Sequence, residues 1–269
     1  MRPDPAKVRV WEARAPAYDR IARRWPIFPL LSRRLVELLP ADLRGPVLDI
    51  GAGSGLTSEH LLRRFPQCEA ILVEPSEAML GLARRHLAGR PARFLAMGLD
   101  GAAERGLRAR AAIASASMHF LDLEPAFATL AEVIAPRGHL AFNLWWHHWE
   151  DTAGLACMTG WKTVAETACR DAGLPPPTPP AFPVPVAKTR AELASASSRH
   201  GFRPLFEQRD EDLVPVAYGV DYLTMDPDWP IAGLAPQARQ AVLAKMEALA
   251  DGTLERLIST RFLFQRAEP

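Results

Sequence analysis

Three glycines at alternate positions, Gly51, Gly53 and Gly55, follow a short apolar run and precede a helical pattern in VLDIGAGSGLTSEHLL, residues 47–62. A strand that enters a glycine-rich turn and then a helix is suited to holding a nucleotide-like ligand. The turn lets the ligand approach the main chain, and the helix N-terminus offers unpaired N–H groups. The dinucleotide spacing GxGxxG would place its third glycine where Leu56 stands, so the spacing argues against NAD. Such a ligand also needs an acid near the end of the next strand to accept from its ribose hydroxyls, and Glu74 ends that run, AILVE. A second group with chemical potential is His119, with His147 and His148 in LWWHHWED among Trp145, Trp146 and Trp149. Imidazole is the usual proton acceptor near neutral pH. Two readings stand for this group: an aromatic-walled substrate pocket with one or two imidazoles, or a core Trp145 with histidines on a surface loop. Glu150 and Asp151 lie close by, but adjacent histidines on an extended chain point apart, so no metal site is expected.

The elements that must position these residues alternate. Residues 8–40 read as helices. Strands are expected at 47–50, 69–74, 92–97, 110–117 and 138–146. Helices are expected at 56–65, after a Ser76 N-cap as far as Gly89, and at 125–136, where Pro136 stops the run. This alternation implies a parallel sheet with right-handed crossovers. It places His119, His147 and His148 after the fourth and fifth strands, at the carboxyl end where ligands bind in such folds. Beyond 150 come a helix at 159–174, a stiff proline run from 175 to 185, and a capping box at 189–192 opening a helix. A strand from 202, a helix at 236–252 and a last strand at 257–267 follow.

The sequence D-I-G-A-G-S-G resembles the first motif of class I S-adenosylmethionine-dependent methyltransferases. Four further segments match that family in order: Tyr18 in APAYD, Glu74 before PSEAML, the segment IASASMHFLD, and the turn IAPRGHLAF, in which Arg137 replaces the family's first glycine. The resemblance implies a doubly wound, Rossmann-like α/β fold. Its seven-stranded sheet is mostly parallel, with helices on both faces, the last strand antiparallel, and a cap or insert. It implies S-adenosylmethionine as cofactor and S-adenosylhomocysteine as product. It also implies a cofactor site of Tyr18, Asp49, Gly51, Ala52, Gly53, Gly55, Glu74, Pro75, Met79, Gly98, Leu99 and Ser115, with adenine met by main chain at Gly98 and Leu99 or by Asp100. The expected activity is methyl transfer to an O, N or C atom of a small, apolar or aromatic molecule, with His119, His148 or His147 as base. The alternatives are other chemistry on the same fold, or a non-catalytic module that binds the cofactor or a nucleotide.

A single domain, 1–269, is expected. It divides into an N-terminal helical lid at 1–40, a cofactor-binding core at 41–146, a cap and connector at 147–235 and a C-terminal helix and strand at 236–269. The chain has 269 residues, 23% charged, with a formal net charge of +1. That balance gives no electrostatic reason to expect a nucleic-acid partner. The residues SASM after the fourth strand are unlike the proline-rich tetrad of amino-group methylases of DNA and glutamine. Three cysteines without paired spacing read as reduced thiols, and no apolar run has the length of a signal peptide or a membrane span. A cytoplasmic protein, monomer or homodimer, that uses no metal or membrane is the expectation.

Overall fold

A computed structural model describes residues 4–145, 148–150, 159–174, 187–223, 225, 231 and 234–268. The proline run, His147, Trp146, Asp151 and Trp229 lie outside the described residues. The chain divides into two compact units: residues 1–153, 185–210 and 259–269, and residues 154–184 and 211–258.

The first unit opens with α1 (Pro5–Arg24) and α2 (Ile27–Glu37). Then β1 (Gly45–Ile50), α3 (Leu56–Arg64), β2 (Cys68–Val73), α4 (Glu77–His86) and β3 (Ala92–Leu95) alternate. They are followed by α5 (Leu99–Glu104), β4 (Ala109–Ala114), a 3-10 turn (Met118–Phe120), α6 (Leu123–Val133) and β5 (Ile134–Trp145). After α7 (Gly160–Asp171) come α8 (Arg190–Arg199), β6 (Phe202–Pro215), α9 (Val216–Leu223), α10 (Pro236–Ala250) and β7 (Leu254–Arg266). The seven strands form one sheet in the order β3-β2-β1-β4-β5-β7-β6, and β7 runs antiparallel to β5.

Continuous apolar strands are explained by two cores. On one face Leu48, Ile71, Ala112 and Leu140 meet Leu99, Phe127, Leu130 and Leu193 from α5, α6 and α8. On the other face Val47, Leu72, Ile113 and Ala141 meet Leu61, Leu80 and Ala83 from α3 and α4, with Val36 of α2. Successive residues feed opposite cores, so neither face can be polar. The order 3-2-1-4 reverses at β1 and β4, and this opens a crevice at their carboxyl ends.

The expected stop at Pro136 is corrected by the structure. The helix ends at Val133, and β5 has already begun when it reaches the proline. The strand tolerates Pro136 because its register with β4 jumps: Ala109 faces Ile134, whereas Ala111 faces His139. Arg137 takes a φ of 60° in this irregularity, so it adopts the left-handed conformation of the glycine it replaces. A Cβ on Gly138 would meet Ile134 Cγ2 at 2.5 Å, and there glycine is required. Two helices were absent from the sequence reading. α5 is only six residues long, and α9 is built of VAYGVDYL, in which valine, tyrosine and glycine favour other states.

In the second unit α7, α9 and α10 build a core of their own, with Val164, Ala168, Val220, Val242 and Met246 at its centre. Glu255 accepts a hydrogen bond from the Gly160 N–H at 2.8 Å and so caps the start of α7. Tyr218 is fully buried and meets Tyr222 edge-on at 6.1 Å. Cys68 and Cys169 are buried free thiols, and burial pushes both upward in pKa, away from the reactive thiolate. Among the described residues no helix is long and apolar enough to cross a membrane, and no cluster of three metal-ligating side chains occurs.

Candidate functional site

The glycine loop joins β1 to α3, and each glycine has its own reason. Gly51, at φ 62°, lies against the turn after β4: a Cβ there would meet Ser117 Cβ at 2.6 Å. Gly55, at φ 87°, lets α4 approach, since a Cβ would come to 3.1 Å from Ala83 Cβ. Gly53, at φ 53°, has only Tyr18 Cε1 near it, at 3.9 Å, because it faces a cavity.

That cavity has a volume of about 250 Å³. Ile50, Gly51 and Gly53 line it from β1 and the loop, and Val73, Glu74, Pro75 and Met79 from β2 and α4. Met97, Gly98 and Leu99 lie at the start of α5, and Ser115, Ala116 and Ser117 follow β4. α1 contributes Val8, Trp11 and Tyr18, and Phe120 and Leu121 complete the wall. A second cavity of about 40 Å³ lies behind the loop, with Ser32, Ser54, Thr57 and Ser115 supplying hydroxyls beside Tyr18, Ala52 and Phe28. It adjoins the first turn of α3, whose N-cap Gly55 has no side chain to satisfy the exposed N–H groups.

Glu74 organises the centre. Its carboxylate accepts from the Gly53 N–H at 3.0 Å and from the Ser76 N–H at 2.9 Å, so one side chain ties the loop to the start of α4. Burial pushes its pKa up, and the two N–H donors oppose that shift. Ser76 in turn caps α4 by accepting from the Met79 N–H at 3.1 Å. Asp49 lies beneath the loop and accepts from the Ser58 hydroxyl at 2.6 Å. Burial pushes its carboxyl up to about 7, against the Ser58 hydroxyl, which favours the ionised form, and with the Glu74 charge, which opposes it. A folded-state value above the unfolded 3.8 means that its contribution to stability is complete at acid pH and is lost as pH rises through about 7. Asp49→Asn keeps an acceptor for Ser58 and cannot ionise. Its melting temperature is expected to exceed the wild type's by a margin that widens from about pH 4 to about pH 7 and then levels. Thermal denaturation across that range checks it, and a margin independent of pH contradicts it.

α1 is fastened over the site. Asp19 accepts from Arg23 at 2.9 Å and lies 2.9 Å from His86 Nε2 on α4. Arg23 reaches Glu59 on α3 at 2.5 Å, and Glu12 accepts from the Ala78 N–H at 3.1 Å. Burial alone would raise the Asp19 carboxyl, but hydrogen bonds with Ser54, His86 and Arg23 outweigh it and hold it below the usual range.

Nine of the residues expected at a cofactor site from the sequence line the larger cavity: Tyr18, Gly51, Gly53, Glu74, Pro75, Met79, Gly98, Leu99 and Ser115. Ala52 borders the smaller one. Asp49 and Gly55 lie behind the loop as supports, and Asp100 sits in the first turn of α5, outside the lining. His119 and His148 come together: their rings stack at 3.7 Å with planes 6° apart, and both are buried. Neither is a surface-loop residue. His119 also lies 4.1 Å from the ring of Phe120, which lines the cavity. Trp145 packs on Phe28, whereas Trp149 is buried against Phe262 in the sheet core and is no pocket wall. The sequence reading missed Trp11, which meets Tyr18 edge-on at 5.5 Å and Phe120 at 6.1 Å. Its signal was present, since Trp11 lies two helical turns before Tyr18 on one face.

Residues 47–138 match the family model described as a methyltransferase domain. That match covers about a third of the chain and spans β1 to the start of β5, the part that carries the glycine loop and Glu74. The chain is 34% identical over 114 residues to malonyl-[acyl-carrier protein] O-methyltransferase of Magnetococcus marinus, a match covering 42% of each chain. It is 44% identical over 64 residues to trans-aconitate 2-methyltransferase of an Acidovorax strain, covering 22% of this chain and 24% of the other. Each match thus spans less than half of the curated relative. Among solved structures, geranyl diphosphate methyltransferase in complex with S-adenosylmethionine is similar in fold, with a TM-score of 0.53 and 14% identity over 89% of this chain and 85% of that one.

Proposed function

We propose that this chain transfers a methyl group from S-adenosylmethionine to an O, N or C atom of a small molecule with an apolar or aromatic body. The observation that carries the reading is the placement of Glu74 and the open face of Gly53 on one cavity at the sheet's switch point. The residues present fit the cofactor. A carboxylate has about four lone-pair sites, so Glu74 retains acceptors for ribose hydroxyls after its two backbone bonds. Gly98 and Leu99 would meet the adenine. The hydroxyls of Ser32, Ser54, Thr57 and Ser115, beside the uncapped start of α3, would hold the amino-acid end, whose carboxylate suits the positive end of a helix.

The cofactor supplies an electrophilic methyl on a positively charged sulfur. The chain aligns the acceptor with it and keeps water out. Trp11, Phe120 and Leu121 offer the apolar wall for the acceptor. Where the acceptor atom carries a proton, His119 is the candidate base. It lies behind the cavity wall against Phe120, with His148 stacked on it, and neither lines the cavity itself. His119 would therefore have to reach the acceptor past Phe120; His147 remains a candidate from the sequence alone. In this reading the cap lies within 147–235, and the enzyme is cytoplasmic, a monomer or homodimer, with no nucleic-acid or membrane partner. The buried free thiols support the reducing compartment.

Titration calorimetry tests the cofactor. S-adenosylmethionine or S-adenosylhomocysteine should bind with micromolar affinity and NAD should not; binding of NAD alone would overturn the reading. His119→Gln is expected to lower turnover of a proton-bearing acceptor found by screening by about a hundredfold or more, with unchanged affinity for S-adenosylhomocysteine. Full turnover removes His119 as the base.

A further inference from the structure

We infer that Asn143 is a positioning residue for the cofactor cavity, acting through the turn at 115–117; this rests on the cofactor reading above. β4 ends at Ala114, which pairs with Phe142, so Asn143 on β5 stands level with the start of that turn. Its Oδ1 accepts from the Ala116 N–H at 2.6 Å. Ala116 has a φ of 51°, in the left-handed region that residues with a Cβ avoid. The turn is pinned on its other side by Ser117, whose hydroxyl donates to the Ile50 carbonyl at 2.5 Å.

The turn meets everything the ligand would. Ser115 borders both cavities, Ala116 and Ser117 line the larger one, and Ser117 Cβ occupies the space that a side chain on Gly51 would need. A turn that relaxed toward negative φ would shift all three contacts together. Asn143 itself is a costly choice. It is fully buried, and its Nδ2 has no hydrogen-bond partner among the described residues. Its neighbour across β7, Arg261, is committed to Asp210 at 3.0 Å. An apolar residue would fill this strand position without leaving a buried donor unsatisfied. What the amide alone provides is an acceptor aimed at Ala116.

The test uses Asn143→Ala, Ala116→Gly and the double variant, with S-adenosylhomocysteine as the probe in calorimetry. Asn143→Ala should bind at least tenfold more weakly than wild type, and Ala116→Gly supplies the reference affinity against which the double variant is read. The double variant should recover most of the loss, because glycine holds a positive φ without help. A residue that only stabilised the fold would lower the melting temperature and gain no such rescue. Unchanged binding in Asn143→Ala, or no recovery in the double variant, overturns the inference. Asn143→Asp, which keeps the acceptor, should bind close to wild type if the alanine variant does not fold; a loss of binding there overturns it too. The Ala116 amide proton in a spectrum of the ligand-free wild type reads the same bond independently of any cofactor. It should lie far downfield, and an ordinary position refutes the bond even if S-adenosylhomocysteine does not bind.

Discussion

Gly53→Val is expected to abolish binding of S-adenosylhomocysteine in calorimetry, weakening it at least a hundredfold, in a protein that still folds. The expectation comes from comparing the three glycines. At Gly51 an added Cβ would strike Ser117 Cβ at 2.6 Å, and at Gly55 it would press on Ala83 Cβ at 3.1 Å, so substitution there damages the fold. At Gly53 the nearest atom is Tyr18 Cε1 at 3.9 Å, an ordinary contact. The folded state meets no clash and bears the strain of a side chain at a φ of 53°, at least about 1–2 kcal/mol and more for a β-branched valine. The new methyl groups then stand where the ligand must lie. Circular dichroism should show a folded protein with a modestly lowered melting temperature, while Gly51→Val, measured alongside, should fail to fold. Normal affinity in Gly53→Val would falsify the placement of the ligand on this loop.

Glu74→Ala is expected to weaken the same binding by at least tenfold, about 1.4 kcal/mol or more. Two losses combine. The ribose hydroxyls lose their acceptor, and the N–H groups of Gly53 and Ser76 lose the carboxylate that joins loop to helix. Glu74→Gln separates them. It leaves one carbonyl oxygen, enough for one backbone N–H, and places an amide donor where the second accepted. Its affinity should fall between those of wild type and the alanine variant. Equal affinity in all three proteins removes Glu74 from the site.

The alternation of strands and helices was legible because the central strands feed two cores and must be largely apolar, as AILV is throughout and VLDI is apart from Asp49. Local hydrogen bonds were legible where one side chain suffices: the Ser76 cap and the capping box of Thr189 and Glu192 both form as read. The course of β5 through Pro136 was not, since a proline signals a stop unless the partner strand's register is known. The glycine loop announced the cofactor side of the site, but its spacing did not reveal that Gly55 serves helix packing while Gly53 faces the ligand space. His119 and His148 were visible as singular residues, yet their stacking depends on two loops brought together by adjacent strands. Asn143 was the clearest signal passed over: one amide within GHLAFNLWW, a run otherwise apolar around it.

The fastening of α1 carries a consequence for time rather than affinity. Trp11 and Tyr18 wall the cavity, and the helix bearing them is tied down by Glu12, Asp19 and Arg23, which reach α3, α4 and Ser54. Those ties need no ligand to form. Under the proposed function, product release would wait on how often the helix lets go, and a slow release can cap the rate of a catalytic cycle. Partly exposed ion pairs weaken as salt rises, so exchange should quicken with ionic strength even where the strength of binding hardly changes.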